Sequence, residues 1–355
     1  MANPTTDSAM YQTMHRQPSD VGKILSGGWG AAKEAAGRIA DAKRVFLVGI
    51  GTSYHAAQIG EWLLRAAGCD ARAVMSYDFA VYPDSYPLRA DDAVIIMAHT
   101  GVKHFSAEAL KRAAATDVAI ISVGSQAAEH PGSQQVLRTI DREKSAAYTS
   151  SHTTAMTILA QIATELGEQR NAKGTTGFRA ALTALPDQMA DALRREDEIL
   201  PIAQEAVNKL VYATGAGPNA ITASEAVIKV REAAYGQIDA LPIEQFLHGP
   251  MVTVNAEDLA IMVHVAGNGA QRTGEVSRAL NALGTSLWVV GHPIDGLPDV
   301  PVFSLPAINE MISPLLAVVP MQILAYHMAA TKGVHPDTFR RDNPVYAEAF
   351  AHSKL

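Results

Sequence analysis

The chain has 355 residues, of which 48% are apolar and 18% are charged, and its formal net charge is −7. This length exceeds the size at which a single hydrophobic core keeps growing, so it predicts two domains, and the composition is that of a compact globular protein. The acidic balance, without dense runs of Lys and Arg, speaks against a nucleic-acid-binding surface.

Cysteine content and hydropathy limit the chemistry and the location further. Cys69 is the only cysteine, so the chain can form no internal disulfide and has no cysteine cluster for zinc or iron–sulfur. Residues 1–19 are polar, and we expect no apolar run of about 18 residues, the length of a membrane span. The sequence therefore predicts a soluble, cytoplasmic protein without metal or cofactor that binds neither nucleic acid nor membrane.

Short β-branched runs alternate with helix-length stretches, which predicts an α/β fold with parallel sheets and crossover helices. In the first half we expect strands at 44–48, 71–75, 93–98 and 118–123, and helices near 53–67, 106–115 and 153–166. A helical connector follows at 178–192 and 194–206, broken only by Pro186 and Pro201. The second half predicts strands at 210–214, 259–264 and 286–290, helices near 220–235, 273–283 and 312–331, and a loop from 236 to Pro250.

An internal repeat organises the two halves. The segment 48–53, Val-Gly-Ile-Gly-Thr-Ser, has a counterpart in 214–219, Thr-Gly-Ala-Gly-Pro-Asn, and each ends a predicted strand and opens a predicted helix. The next strands follow at matching distances and end at His99 and His264. A tandem duplication explains both matches.

The loop after the first predicted strand has the form of a phosphate cradle. Gly51 permits a tight turn and close backbone approach to a ligand, and Ser53 can cap the next helix, whose N-terminus attracts anions. The alternative is a strand-to-helix turn with a capping serine and no ligand. A dinucleotide site is disfavoured, because the third glycine is missing and no acidic residue ends the next strand.

Two further polar clusters open helices in the same half. The first follows the third strand, where open α/β sheets bind ligands, and offers imidazole, hydroxyl and ammonium groups from His99, Thr100 and Lys103. The second opens a later helix and contains Ser150, Ser151 and Thr153. Hydroxyls at a helix start are often only caps, but three polar openings in one half favour ligand binding.

The helix predicted near 220–235 carries a polar stripe. At about 100° per residue, Glu225, Lys229 and Glu232 share one arc of about 60°, while alanine and valine residues occupy another side. Proton transfer between neighbouring sugar carbons needs a positioned carboxylate beside a cation, and Glu232 beside Lys229 would suit. The alternative is a solvated Glu–Lys pair. His248, before a Gly-Pro turn, could open a sugar ring by proton transfer.

These residues resemble the isomerase domain of glucosamine-6-phosphate synthase and its sugar-isomerase (SIS) relatives. Residues 51–56, Gly-Thr-Ser-Tyr-His-Ala, are similar to the family's phosphate loop. Residues 225–250 are similar to its catalytic helix and His-Gly-Pro loop, with Glu232 and His248 sixteen positions apart. Residues 14–18 are similar to the family's Met-x-x-Gln-Pro lead-in and 322–327 to its last helix, so the resemblance spans nearly the whole chain.

The resemblance implies two tandem SIS domains, each a parallel sheet flanked by helices in a flavodoxin-like three-layer sandwich. The expected boundaries are an N-terminal tail at 1–20, a phosphate-binding domain at 21–175, a helical connector at 176–207, an acid/base domain at 208–332 and a C-terminal tail at 333–355. The candidate substrate- and phosphate-binding residues are Gly51, Thr52, Ser53, His99, Thr100, Lys103, Ser150, Ser151, Thr153 and Glu225.

The resemblance also implies catalytic roles and a partner. Glu232 would move the proton between C1 and C2, His248 would act in ring opening, and Lys229 would help to hold the charged intermediate. The His-Gly-Pro loop would be supplied across a dimer interface, which implies a homodimer.

The chain departs from the synthase in three places. It has Ala2 in place of a nucleophilic cysteine, so we expect it to lack the glutaminase chemistry. Its second phosphate loop lacks two hydroxyls and gains Lys103, so charge would grip the phosphate. The Schiff-base lysine has no clear counterpart, because Lys354 lies near the very end. The stretch 148–151, Tyr-Thr-Ser-Ser, looks more like aldose/ketose isomerases and amino-sugar deaminases of catabolism.

We therefore expect an enzyme that isomerises a phosphosugar, as an aldose/ketose isomerase or as a deaminase of an amino-sugar phosphate, through an enediol or enediolamine intermediate. One alternative is a non-catalytic regulator that binds a sugar phosphate. Another is a subunit that aminates fructose 6-phosphate with ammonia from a separate source.

Overall fold

The computed structural model describes residues 7–101 and 103–353. Val102, in the expected second phosphate loop, and Lys354 lie outside the described residues. The chain divides into two compact units, named here by the sheet that each contains. The first-sheet unit comprises Arg16–Glu143, Ser150–Pro186 and the residues from Glu348 on; the second-sheet unit comprises the residues up to His15, Lys144–Thr149 and Asp187–Ala347.

The first sheet has five parallel strands in the order β2-β1-β3-β4-β5. They are β1 (Arg44–Gly49), β2 (Ala71–Met75), β3 (Asp92–Met97), β4 (Ala119–Gly124) and β5 (Gln135–Arg138). The helices up to the end of this part of the chain are α1 (Ala9–Gly27), α2 (Trp29–Ile39), α3 (Thr52–Ala66), α4 (Ser76–Val81), α5 (Phe105–Ala114), α6 (Ser150–Arg170) and α7 (Phe178–Arg194). Short 3₁₀ turns lie at Pro83–Ser85 and Lys173–Thr175.

The second sheet also has five parallel strands, in the order β10-β9-β8-β6-β7. They are β6 (Val211–Gly215), β7 (Ile238–Pro242), β8 (Leu259–His264), β9 (Ser286–Gly291) and β10 (Val302–Ser304). The remaining helices are α8 (Leu200–Ala206), α9 (Asn219–Ala234), α10 (Ile243–Leu247), α11 (Ala270–Ala282), α12 (Ser313–Lys332) and α13 (Pro344–Ala351), with 3₁₀ turns at Glu196–Glu198 and Pro250–Thr253. The predicted α/β fold with parallel sheets is thus confirmed, and two such sheets fit two SIS domains.

The central strands form because their side chains are apolar on both faces. Every residue of β3 is buried, and its Val94 and Ile96 belong to a core with Phe46 of β1 and Ile120 of β4. Full burial of such a side chain stabilises the fold by about 1.5–3 kcal/mol. A central parallel strand covered on both faces reads as a continuous hydrophobic run, which is why these strands were visible in the sequence.

Helix α12 corrects the expectation that no apolar run is long enough to cross a membrane. It has 20 residues and a mean hydropathy of 1.3 over its most apolar window, which passes that test of length and composition. However, 89% of this window is buried inside the protein. The same composition is required of a helix that is packed on all sides in a core, and α12 is such a helix.

Several elements lie where the sequence predicted none. Strand β7 occupies part of the expected loop before Pro250. Helix α1 begins at Ala9 inside the expected tail 1–20 and continues to Gly27, and helix α13 lies within the expected tail 333–355. Pro186 does not break its helix: α7 continues through it, and the ring packs 3.9 Å from the place where a Cβ on Gly22 would lie. Pro201 stands in the first turn of α8, where proline is tolerated.

Candidate functional site

The carboxyl edge of the first sheet holds the predicted phosphate loops. Strand β1 lies between β2 and β3, so the crossover connections leave β1 and β3 in different directions. In open α/β sheets, ligands bind in the crevice that this reversal creates outside the strand ends. The loops that follow Gly49 and Met97, which end β1 and β3, are the ones that carry the predicted Gly51–Ser53 and His99–Lys103 groups.

The first loop has an uncapped helix start. Gly51 is the N-cap residue of α3, with φ +57° and ψ −134°, a backbone conformation that favours glycine, and no side chain caps the helix. A Cβ on Gly49 would lie 2.4 Å from the Ser53 carbonyl oxygen, so only glycine lets α3 start this close to β1. The expectation that Ser53 caps α3 is therefore wrong, because Ser53 lies inside the first turn.

This loop can accept an anion. A helix start without a side-chain cap presents the positive end of the helix dipole, although the Ser53 and Tyr54 backbone N–H groups here donate to the Ile50 and Gly51 carbonyls at 3.1 and 2.8 Å. Among the described residues, the Ser53 hydroxyl makes no hydrogen bond, and nothing lies within 4 Å of a Cβ placed on Gly51. The space beside the loop is open, as a phosphate cradle requires.

The second loop offers a hydroxyl and a cation. Thr100 is partly exposed and Lys103 is exposed, and neither side chain has a hydrogen bond or ion pair with another described residue. Gly101 turns at φ +86° and packs on the Glu129 backbone, where an added Cβ would lie 3.4 Å from the carbonyl oxygen. The geometry leaves both side chains available to a ligand.

His99 lies behind the second loop and points inward. Its Nδ1 lies 3.3 Å from the Thr139 hydroxyl oxygen, and that hydroxyl donates to the Gly124 carbonyl. The Glu143 backbone N–H is directed at Nε2 at 3.5 Å. Burial lowers the pKa of His99, partly offset by the Glu143 carboxylate. A neutral ring with its proton on Nδ1 satisfies all of these contacts, so His99 supports the loop from inside.

The start of α6 is held by two buried carboxylates. The Ser150 hydroxyl donates to Asp20 at 2.8 Å, and the Ser151 backbone N–H donates to Glu143 at 2.5 Å. The Thr153 hydroxyl donates to the Ser150 carbonyl at 3.2 Å. Of the three predicted side chains, only the Ser151 hydroxyl has no hydrogen bond with another described residue. Sequence reasoning missed Asp20 and Glu143, which lie 130 and 8 positions away from their partners.

In the second-sheet unit, α9 brings the predicted polar stripe together. The Lys229 side chain is fully buried, with Nζ 2.8 Å from Glu232 Oε2 and 3.5 Å from Glu225 Oε1. Glu225 is also buried, whereas the Glu232 side chain is 21% exposed. The alternative, a Glu–Lys pair exposed to solvent, is therefore wrong. Because Glu232 alone of the three reaches solvent, it is the group that can meet a ligand.

His248 lies on a strongly exposed loop. Its side chain is 74% exposed, with Nε2 3.3 Å from Glu244 Oε2. Glu244 also pairs with Arg272, and this hydrogen bond is the main reason that the pKa of Glu244 is lowered. Val252, just after the His-Gly-Pro turn, is 88% exposed. In the described part of this unit, the His248 and Val252 side chains are therefore left largely uncovered.

In the second sheet, the loop after β8 is the counterpart of the second phosphate loop, and the Glu310 carboxylate binds inside it. After β8, the backbone N–H groups of Asn268 and Gly269 donate to Glu310 at 3.0 and 3.3 Å. An added Cβ on Gly267 would lie 2.3 Å from the Glu310 carboxyl carbon. The anion position at the start of α11 is therefore occupied from within the chain.

Over the described residues, no group of three or more His, Cys, Asp or Glu side chains could hold a metal ion.

A family model of the SIS domain matches residues 38–165 of this chain. This stretch is an SIS domain. It contains all five strands of the first sheet and the three predicted phosphate-binding clusters. The resemblance drawn from the sequence motifs is thereby confirmed.

Relatives of known sequence extend the match beyond this SIS domain. Over 341 residues, the chain is 26% identical to a glutamine–fructose-6-phosphate aminotransferase [isomerizing] of Pyrococcus horikoshii, a match that covers 92% of this chain and 56% of that protein. The chain thus spans about half the length of the curated relatives that it matches. It is homologous to the isomerase part of these aminotransferases.

Solved structures share the fold over almost the whole chain. The C-terminal domain of glucosamine-fructose-6-phosphate aminotransferase from Francisella tularensis superposes with a TM-score of 0.84 at 19% identity, covering 95% of this chain and 100% of that one. A glucosamine-6-phosphate deaminase from Thermotoga maritima superposes with a TM-score of 0.72 at 19% identity, covering 93% and 97%. These likenesses establish the fold.

Proposed function

We propose that the chain is a phosphosugar isomerase, acting as an aldose/ketose isomerase or as a deaminase of an amino-sugar phosphate. The observation that carries the proposal is the partly exposed Glu232 carboxylate beside the fully buried Lys229, 2.8 Å away. The buried ammonium orients this carboxylate through the hydrogen bond from Nζ, and a base that abstracts a proton next to a carbonyl requires such a fixed orientation. The names of the homologous and structurally similar proteins, an isomerising aminotransferase and a deaminase, support the same chemistry.

The proposed roles divide between binding and proton transfer. The phosphate group is bound by Gly51, Thr52 and Ser53 at the start of α3, with Thr100 and Lys103 adding a hydroxyl and a positive charge. Glu232 takes the proton from C2 of the open-chain aldose and returns it to C1, so that an enediol or enediolamine forms between the two steps. The Lys229 charge stabilises the negative charge that develops on the neighbouring oxygen.

Some of the candidate residues act at a distance from the substrate in this proposal. His99, Ser150 and Thr153 use their polar atoms inside the protein, so they hold the loops in place, while Ser151 contributes its hydroxyl. Glu225 fixes the Lys229 ammonium from the other side at 3.5 Å. His99, Ser150, Thr153 and Glu225 are therefore positioning residues.

The exposed His-Gly-Pro loop fits a homodimer in which each chain supplies His248 to the other. Ring opening needs a proton donor and acceptor close to the ring oxygen, and a histidine titrates in the useful range. The 88% exposure of Val252 supports a cover from a second chain. We propose that this homodimer is cytoplasmic. Each chain then has two flavodoxin-like sandwiches with the strand order 2-1-3-4-5, and its domains have the boundaries expected from the sequence.

A second candidate is amination of fructose 6-phosphate with ammonia from a separate source. It is favoured by the identity to an aminotransferase of which this chain spans 56%. Release of ammonia from glucosamine 6-phosphate without a partner supports the deaminase. Glucosamine 6-phosphate formation only when ammonium or a glutaminase is added supports the second candidate.

The test is a panel of hexose and hexosamine 6-phosphates, scored by thermal shift, ketose formation and ammonia release. At least one compound should raise the melting temperature and be converted, since a ligand stabilises the fold according to its occupancy. Glu232→Gln should retain the thermal shift and lose turnover by about 100-fold or more, the range of a lost general base. The matched control is Glu198→Gln, a half-exposed carboxylate paired with Arg195 at 2.8 Å. A thermal shift without turnover in the wild type would instead identify a regulator.

A further inference from the structure

A cavity of about 450 Å³ opens at the carboxyl edge of the second sheet, apart from all the residues used in the proposed function. His264 ends β8, His292 follows the end of β9, and α11 supplies Arg278 as the third polar wall. Small-molecule sites typically measure about 300–1,000 Å³, and ligands of parallel sheets bind outside the carboxyl ends of the strands. Both the size and the position fit a binding site.

The two histidines are locked to each other through the backbone. The His264 Nδ1–H donates to the His292 carbonyl at 2.8 Å, and the His292 backbone N–H donates to the His264 carbonyl at 2.7 Å. This close pairing requires Gly291, whose φ is +127° and whose added Cβ would lie 2.0 Å from the His264 carbonyl oxygen. The hydrogen bond from Nδ1 places the ring proton of His264 on that nitrogen and leaves Nε2 as a hydrogen-bond acceptor. His292 makes no side-chain hydrogen bond with another described residue.

Arg278 supplies the positive charge. Its guanidinium lies along α11 over Gly274, where an added Cβ would be 3.3 Å from Nη1. Among the described residues it makes one hydrogen bond, from Nη1 to the Asp295 carbonyl at 3.2 Å, so most of its five N–H donors remain for a ligand. The nearby Glu275 carboxylate is committed to Arg272 at 2.9 Å. Burial is the main cause that lowers the pKa of His292, which favours the neutral ring.

The chemistry of the walls selects the ligand. Glu310 already occupies the anion position at the start of α11, so a ligand anion must use the Arg278 guanidinium, which suits phosphate oxygens. His264 Nε2 and the Asp295 carboxylate can accept from hydroxyl groups, and Pro293 and Ile294 form an apolar wall for a carbon skeleton. We propose that this cavity is a second, non-catalytic site that binds a phosphate monoester of a small polyhydroxylated molecule.

The test is a titration of the whole protein, labelled with ¹³C at isoleucine methyl groups, with glucose 6-phosphate. Ile294 lines the cavity, and Ile50, which is 49% exposed, lies in the first phosphate loop and reports on the proposed function separately. The Ile294 signal should shift saturably. In Arg278→Gln its apparent affinity should fall by about tenfold or more, as expected for a lost charge-assisted hydrogen bond, while the Ile50 response is unchanged.

Controls separate this site from general effects. Arg194→Gln removes an exposed arginine elsewhere and should leave the Ile294 response unchanged. Glucose alone should shift Ile294 at least tenfold more weakly, and inorganic phosphate should compete. A silent Ile294, an equal response in Arg278→Gln, or equal binding of glucose would overturn the second site. A silent Ile50 with a responsive Ile294 would count against the phosphate loop and leave the second site standing.

Discussion

The Lys229 ammonium lies 2.8 Å from Glu232 and 3.5 Å from Glu225, and its side chain has no exposed surface. A buried cation between two carboxylates is costly to desolvate and is retained only with good partners. The arrangement fixes the one partly exposed carboxylate of the three. It is the most specific chemical feature of the second-sheet unit.

Lys229→Met should destabilise the protein by about 3–5 kcal/mol, because it leaves the buried Glu225 without its cation. The double variant Glu225→Gln with Lys229→Met should recover much of this loss and remain inactive, because the charge beside Glu232 is still absent. Urea unfolding and turnover measure the two effects. Lys209→Met is the control: it breaks a more exposed pair with Glu205, 2.7 Å apart, and should cost about 0–1 kcal/mol. Equal losses in both lysine variants would refute the special position of Lys229.

Gly51→Ala should weaken phosphosugar binding more than it weakens the fold. Nothing lies within 4 Å of the added methyl group, so the cost is backbone strain at φ +57°, about 1–3 kcal/mol. Relief of this strain would change the backbone conformation at the start of α3, where the phosphate is proposed to bind. Gly30→Ala in helix α2, also in open space, should be neutral or slightly stabilising. Thermal shift with and without the ligand reports both; unchanged ligand affinity in Gly51→Ala would exclude the cradle.

Glu310→Ala should uncover a new anion position. The variant leaves the Asn268 and Gly269 N–H groups without their acceptor and should lose about 1–2 kcal/mol. Sulfate should then raise its melting temperature more than that of the wild type, because the anion replaces the carboxylate. Glu257→Ala removes an exposed carboxylate and controls for net charge. If sulfate raises the melting temperatures of the wild type, Glu310→Ala and Glu257→Ala equally, Glu310 does not occupy an anion-binding position.

Stability should fall as the pH drops below neutral, in part because of His130. This ring is 6% exposed, neither nitrogen has a partner among the described residues, and burial lowers its pKa to about 4, with a contribution from Arg138. The unfolded chain binds this proton below about pH 6.5, so between there and pH 4 it binds more protons than the folded protein and stability is lost. His99, whose pKa is also lowered, acts in the same direction.

The slope from one histidine is at most about 1.4 kcal/mol per pH unit. His130→Leu should reduce the pH dependence of the unfolding free energy by up to this amount, as measured by urea denaturation at pH 7, 6 and 5. His335→Leu, which removes a histidine that is 55% exposed, is the control for the loss of a histidine as such. Identical slopes in wild type and His130→Leu would show that His130 is already protonated in the folded state.

The sequence predicted the central strands and the site elements because their signals are local. The apolar runs of β1 and β3, the glycines that follow β1, and the spacing of Glu225, Lys229 and Glu232 on α9 each need only a few neighbouring residues. The edge strands β5 and β10 have four and three residues, too short for a periodic signal. Their existence depends on the neighbouring strand that they extend.

The contacts that sequence reasoning missed join distant positions. Glu310 meets Gly269 across 41 positions and Asp20 meets Ser150 across 130, and no local pattern marks a carboxylate as an internal acceptor. His99 and Ser150 look like ligand-binding groups in the sequence, because their residue types are suitable. Their orientation, which turns them inward, depends on the packed loops around them.

Incorporation of solvent deuterium at C1 or C2 of a bound hexose 6-phosphate tests the central claim most directly, since it follows the proton that Glu232 is proposed to move. We predict deuterium incorporation in the wild type and in Glu198→Gln. In Glu232→Gln the rate of incorporation should fall by about 100-fold or more, while the variant still binds the sugar. Undiminished incorporation in Glu232→Gln would contradict the assignment of this carboxylate as the base.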